Sequence, residues 1–170
     1  YGEQYALEMR MPLVRLIDGS GGGGSVKTLE IVGHSYVPAL HGFETTLQLM
    51  GQVPVVCACM GSVASLGAVR TTISHFSLMI KETSQLFVAG PPVVERGFGK
   101  PVGKNELGGS QIHAHGSGAV DNEVETEQEA FDIIRNFLSY LPQNVWQPPP
   151  RIESDDSVKR RDESLLSVIP

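Results

Sequence analysis

Residues 59–68 read CMGSVASLGA and follow the apolar run VPVVCA. Two chemistries fit a serine among small residues at the end of such a run. In the first, Ser65 is a nucleophile exposed on a sharp strand-to-helix turn, which requires a base within hydrogen-bond reach, usually a histidine held by a carboxylate. In the second, the side chains are bystanders and the backbone acts. A helix that begins at a glycine-bearing bend has N–H groups with no intrahelical partner. Aimed at an oxygen that gains negative charge, such amides stabilise it without needing particular side chains. On that reading the donors are the amides of Ser65, Leu66 and Gly67, and small residues such as Gly61 and Ala64 let a ligand approach closely.

The remaining chemistry-bearing residues are sparse. His113 and His115 alternate, so on an extended segment they would share a face and a metal could bridge them, yet no nearby cysteine or helical histidine completes a ligand set. They are read as loop histidines, and no metal is expected. His34 and His41 have no identifiable partners. Cys57 and Cys59 sit two apart on one apparent strand, where neighbouring cysteines rarely form a disulfide; two buried thiols in a reducing compartment are expected.

These residues are carried by a chain of 170 residues, about one domain's worth, able to bury roughly 70% of its unfolded surface. The net charge of −6 gives no general attraction for nucleic acid or acidic membranes, so any anionic ligand must be met by local groups. No apolar run reaches the roughly 18 residues of a membrane span. Gly and Pro number 19 and 11, more than an average domain carries, which places much of the information in loops.

PLVRLIDG (12–19) and VPVVCACM (53–60) have the form of buried parallel strands. Between them, SGGGGS (20–25) is a tight loop where backbone approaches a ligand, or else a flexible linker; Gly22 and Gly23 are assigned to the same pocket as the 61–67 segment. VPALHGFETTLQLMGQ (37–52) carries a helical stripe, SLGAVRTTISHF (65–76) opens a helix at the bend, and SLMIKETSQLFVAG (77–90) supplies one or two short strands. PPVVERGFG (91–99) begins another helix, 100–124 is an ordered loop region with short elements, and a capping box at Thr126 and Glu129 starts a helix whose stripe is Phe131, Ile134, Leu138 and Leu141. The order of elements is that of an α/β domain. Residues 147–170, with three consecutive prolines and mixed charges, read as an extended arm.

Two resemblances follow. CMGSVASLGA is similar to the serine-bearing segment of Clp-type peptidases, which belong to the crotonase superfamily. In that pattern the catalytic histidine lies about one strand further on, where this chain has QLFVAGPPVV (85–94) and no histidine. More extensively, the chain resembles the carboxyltransferase subunits of biotin-dependent acyl-CoA carboxylases (acetyl, propionyl or methylcrotonyl), through LIDGSGGGGS (16–25), GSVASLGA (61–68), HFSLMIKETSQLFVAGPPVV (75–94), ELGGSQIH (106–113), SGAVDN (117–122) and FLSYLPQN (137–144). Lys81 to Pro91 and the ELGG…H…SG run are the most specific.

The resemblance implies a crotonase-like α/β fold of stacked short strands with helices outside. Residues 1–146 would be part of an N-terminal, acyl-CoA-binding half, truncated at its start, and 147–170 would lead towards a C-terminal half. It implies an oxyanion site at the turn aligned with Ala64, Ser65, Leu66 and Gly67, where the family commonly has two glycines at Ser65 and Leu66. It further implies acyl-CoA as substrate, carboxybiotin on a separate carrier, and the C-terminal half of a neighbouring subunit as partner. A biotin carboxylase and a hexameric ring complete the expected assembly, in the mitochondrial matrix of a eukaryote or the cytoplasm of a bacterium. The isolated segment is expected to be inactive. A Clp-like serine peptidase using Ser65 and a non-catalytic assembly module are the other readings.

Overall fold

The computed structural model describes residues 1–20, 26–34 and 42–168. Its centre is a parallel sheet. Strands β1 (Leu13–Ser20), β2 (Val55–Ala64), β3 (Phe76–Ile80) and β5 (Asn122–Val124) lie in the order β1-β2-β3-β5, and β4 (Gln85–Phe87) also pairs with β2. β2 is the long element, and two strands share one of its edges in succession: β3 takes Val56–Cys59 and β4 takes Ser62–Ala64. β2 thus runs four residues past the strand end expected at Met60, through Ala64, and the chain turns at Ser65.

Alternate residues of β2 face two cores, as the pleat requires. Val56 and Ala58 pack with Leu78, Ile80 and Val124 beneath α7 (Glu127–Ser139), which contributes Ala130 and Ile134. Cys59 and Val63 pack on the other face with Met79, Leu86 and Val120, and with Ala68 of α4 (Leu66–Thr72). The buried stripe of α7 lies at Ala130, Ile134 and Leu138, joined by Ile133 and Phe137, with the Phe137 ring stacked on Phe76 at 4.5 Å. Only half of the expected capping box forms: Thr126 Oγ1 accepts the Glu129 N–H at 3.2 Å, whereas the Glu129 carboxylate reaches back to the Glu125 N–H.

A third cluster joins α1 (Gly2–Met9), through Ala6, to Leu49 of α3 (Phe43–Met50) and to Val55. The short helices α2 (Val26–Val32), α5 (Pro91–Phe98) and α6 (Lys104–Gly108), with a π-helical turn at Gln111–Gly116, complete the body. Residues 147–168 are exposed throughout, with one 3-10 turn at Glu163–Ser167. Among the described residues no helix is long and apolar enough to cross a membrane.

Candidate functional site

The strand-to-helix corner is formed by two constraints. Ala64 ends the ladder opposite Phe87, and the Ser65 N–H donates to the Phe87 carbonyl at 3.0 Å, so β4 holds the first residue after the strand. The chain then reverses through Ser65 at φ 56° and ψ −123°, a conformation that costs a non-glycine residue roughly 1–3 kcal/mol. Helix α4 starts immediately, at Leu66.

This geometry sorts the three expected amide donors. The Ser65 N–H is engaged by Phe87 and is removed from the expected set because a β-ladder, not a ligand, takes it. The N–H groups of Leu66 and Gly67 lie in the first turn, where no intrahelical acceptor exists, and among the described residues neither donates to another group. Gly61 is buried four residues earlier on β2, with the Asp18 carboxylate standing where its Cβ would be, and Ala64 is half-buried at the corner. Gly22 and Gly23 lie outside the described residues.

The opposite end of α4 is closed. Arg15, buried on β1, donates from Nη1 to the carbonyls of Arg70 at 3.2 Å and Ile73 at 2.8 Å. Its guanidinium also pairs with Glu3 at 3.0 Å, and Thr46 donates its hydroxyl to the same carboxylate at 2.6 Å. Arg15 was not singled out from sequence. The available signal is a lone arginine inside PLVRLIDG, because a buried guanidinium must find acceptors.

His75, His113 and His115 make structural contacts, and His41 lies outside the described residues. His113 and His115 are two apart on a helical turn and so diverge, instead of sharing the face of an extended segment. His113 Nε2 donates to the Leu86 carbonyl at 2.9 Å, and His115 pairs with Glu123 at 3.4 Å. His75 accepts the Val55 N–H on Nδ1 and donates from Nε2 to the Met50 carbonyl, both at 3.0 Å, far down the sheet from Ser65. Ser65 Oγ makes no hydrogen bond among the described residues, and no three potential ligands converge there on a metal site.

Cys57 and Cys59 are buried free thiols on the α4 side of β2. Burial pushes Cys57 up to about 11, opposed by a hydrogen bond with Thr71 and the charge of Arg15, and it pushes Cys59 up to about 12. Neither is a nucleophile at neutral pH. Two open clefts lie away from the corner: one of about 370 Å³ between Pro54, His75 and Phe137, and one of about 440 Å³ between Glu3, Arg15 and Arg70.

The Carboxyl transferase domain family matches residues 2–170. The chain belongs to that family. As a carboxyl transferase domain it is 32% identical, over 97% of its length and 31% of the relative's, to the propionyl-CoA carboxylase carboxyltransferase subunit of Haloferax mediterranei. It is 30% identical to the methylmalonyl-CoA decarboxylase subunit alpha of Veillonella parvula, covering 99% of the chain and 32% of that protein. Among solved structures, transcarboxylase 12S, a hexamer assembly with hydrolysed methylmalonyl-coenzyme A bound, superposes with TM-score 0.73 at 25% identity, over 99% of this chain and 32% of that one. The fold is thus the crotonase-like one expected, and the chain spans about a third of the length of the relatives it matches.

Proposed function

We propose that this carboxyl transferase domain holds an acyl-CoA thioester while its α-carbon takes up a carboxyl group, with the amides of Leu66 and Gly67 as donors to the thioester oxygen. The observation that carries the reading is the β2–α4 corner, where the ladder engages the Ser65 N–H and, among the described residues, the next two N–H groups have no acceptor. Neutral backbone donors suit an oxygen that becomes negative as the enolate forms, since they are already oriented before the charge appears. Ala64 keeps side-chain bulk away from the approach, Gly61 makes room for the Asp18 carboxylate beneath it, and Gly22 and Gly23 are proposed to line the same pocket. Biotin, bound on a carrier elsewhere in the complex, would supply the carboxyl group and, once freed of it, would take the proton that leaves the α-carbon. No side-chain base at Ser65 is required for these roles.

The family match and the names of the relatives support an acyl-CoA substrate without choosing the acyl group. Partners proposed for the whole protein are a second crotonase-like half from a neighbouring subunit, a biotin carboxylase and biotin carrier, and a hexameric assembly. Residues 1–170 alone are proposed to bind a CoA ester weakly and to turn over nothing.

The strained φ of Ser65 favours a serine peptidase, as does the likeness of CMGSVASLGA to the Clp-type segment. Against it, the ring nitrogens of His75 and His113 that form hydrogen bonds face backbone groups, and His115 faces Glu123. Acyl-CoA titration and fluorophosphonate labelling of the full-length protein separate the readings. CoA-ester binding without labelling is expected. Labelling abolished by Ser65→Ala would establish the peptidase, and neither binding nor labelling would leave an assembly module.

A further inference from the structure

The amide corner is set by β4, a strand of only three residues, and β4 is in turn held from outside the sheet. We propose that His113 is a positioning residue for the Leu66 and Gly67 donors, acting through the Leu86–Phe87 backbone. The assignment rests on the proposed oxyanion role of that corner.

Successive carbonyls of a strand point to opposite edges. The Phe87 carbonyl faces β2 and accepts the Ser65 N–H, whereas the Leu86 carbonyl faces away and accepts Nε2–H of His113 at 2.9 Å. Leu86 is 3% exposed, so this carbonyl has little water to turn to. Gly108 closes the remaining side: the Leu86 oxygen occupies the position a Cβ would take, and Phe87 Cδ1 would lie 2.8 Å from it. Residue 85 is fixed separately, its side-chain amide donating to Asn105 at 2.7 Å and to the Glu82 carbonyl at 3.1 Å. His113 itself is held at both main-chain groups, its N–H on the Gly109 carbonyl at 3.3 Å and its carbonyl on the Val120 N–H at 3.1 Å. It stands within the π-helical turn Gln111–Gly116, a geometry that proteins use sparingly and often near functional sites.

The consequence is mechanical. Without the imidazole, a buried carbonyl lacks a partner, a cost of about 1–3 kcal/mol, and the Leu86–Phe87 peptide rotates to recover one. The Phe87 carbonyl lies on the next peptide, so that rotation loosens its hold on Ser65. A conformation that costs Ser65 about 1–3 kcal/mol then loses one of its restraints and shifts to relieve part of that strain, the Val69 N–H on the Ser65 carbonyl at 3.1 Å and the Ala64 ladder remaining. Leu66 and Gly67 move with it.

The test uses the full-length protein in its biotin-dependent complex, with His113→Ala, His113→Gln, His113→Asn and His115→Ala. Displacing donors by about 1 Å is expected to lower kcat of His113→Ala by roughly 10- to 100-fold while KM for the acyl-CoA moves less than about twofold. His113→Gln, which places a donor near the position of Nε2, restores most of the rate; His113→Asn, one bond too short, does not; His115→Ala matches the wild type. Amide hydrogen exchange at Ser65 accelerates by about tenfold or more in His113→Ala and is slow again in His113→Gln. Should His113→Ala not fold, Asn against Gln carries the same contrast. Equal kcat in Asn and Gln, a change in kcat of His113→Ala below about twofold, or unchanged exchange at Ser65 overturns the proposal. A wild-type complex that transfers no carboxyl group would refute the oxyanion reading instead, and Ser65 exchange would still decide whether His113 governs the corner.

Discussion

The two ends of helix α4 are finished in opposite ways. At its C-terminal end the carbonyls of Arg70 and Ile73 are taken by Arg15, and the Thr71 carbonyl by the Ser74 hydroxyl at 2.7 Å. At its N-terminal end the residue before the helix is strained at φ 56°, and the first two helical N–H groups make no bond among the described residues. Helix ends always begin with unpaired groups, so the contrast lies in which end the protein closes. The closed end secures the helix, and the open end is where a ligand's oxygen can do what the fold has not.

The largest effect is expected at the closed end. Arg15→Ala removes two hydrogen bonds to α4 and leaves Glu3 without its nearer guanidinium partner, since Arg70 stands further off at 3.8 Å. Breaking a buried ion pair by removing one member costs about 3–5 kcal/mol. Glu3 keeps some access to water, so the lower part of that range is expected in denaturant melts. If the closed end only secures the helix, Arg15→Ala lowers stability well before CoA-ester binding at temperatures where the chain stays folded. Equal stability of the variant and the wild type would dissolve the contrast between the two ends.

A second effect tests how well that end is sealed. Cys57 lies under α4 beside Thr71 and is raised to about 11, with Cys59 at about 12, both above the ordinary thiol value of 9.0 and both because burial disfavours the thiolate. A raised thiol pKa means the folded state holds its proton more tightly than the unfolded one. The associated stability is complete below about pH 9 and is lost as pH rises towards 11, on the order of 2 kcal/mol for Cys57. Melting between pH 8 and 11 should show this decline, and a Cys57→Ala, Cys59→Ala double variant should show less of it. At pH 8 iodoacetamide should label neither thiol before unfolding. Rapid labelling of the native chain would mean that the closed end opens.

The contrast itself was only partly legible in the sequence. The apolar runs of β1 and β2 and the stripe of α7 announce themselves by local periodicity, so the sheet and its covering helix could be anticipated. The corner could be placed near Ser65 for the same local reason. What escaped depends on distant pairing. The strand looks finished at Met60 until β4 arrives from more than twenty residues away to pair with Ser62–Ala64, and the same pairing withdraws the Ser65 N–H from the expected donors. Arg15 stands in an apolar run, but its partners come from α1 and the far end of α4. His113 looks like half of an alternating pair because a π-helical turn leaves no periodic trace over six residues.

The smallest effect probes the open end directly. Ser65→Gly removes a side chain from a backbone conformation that glycine adopts freely, which favours the folded chain, while added freedom in the unfolded chain opposes it. The two offset, so a stability change within about 1 kcal/mol is expected. Because the Ser65 hydroxyl makes no bond among the described residues and its N–H stays on Phe87, acyl-CoA binding should persist in Ser65→Gly and in Ser65→Ala alike. Ser65→Val should behave differently: a β-branched residue at positive φ is strained further, and relaxation of the corner would carry Leu66 and Gly67 away from a common acceptor. Calorimetric titration of the three variants with a non-hydrolysable acyl-CoA therefore separates the hydroxyl from the backbone. Loss of binding in Ala but not in Val would transfer the chemistry from the amides to the serine side chain and leave the unpaired N–H groups without a role.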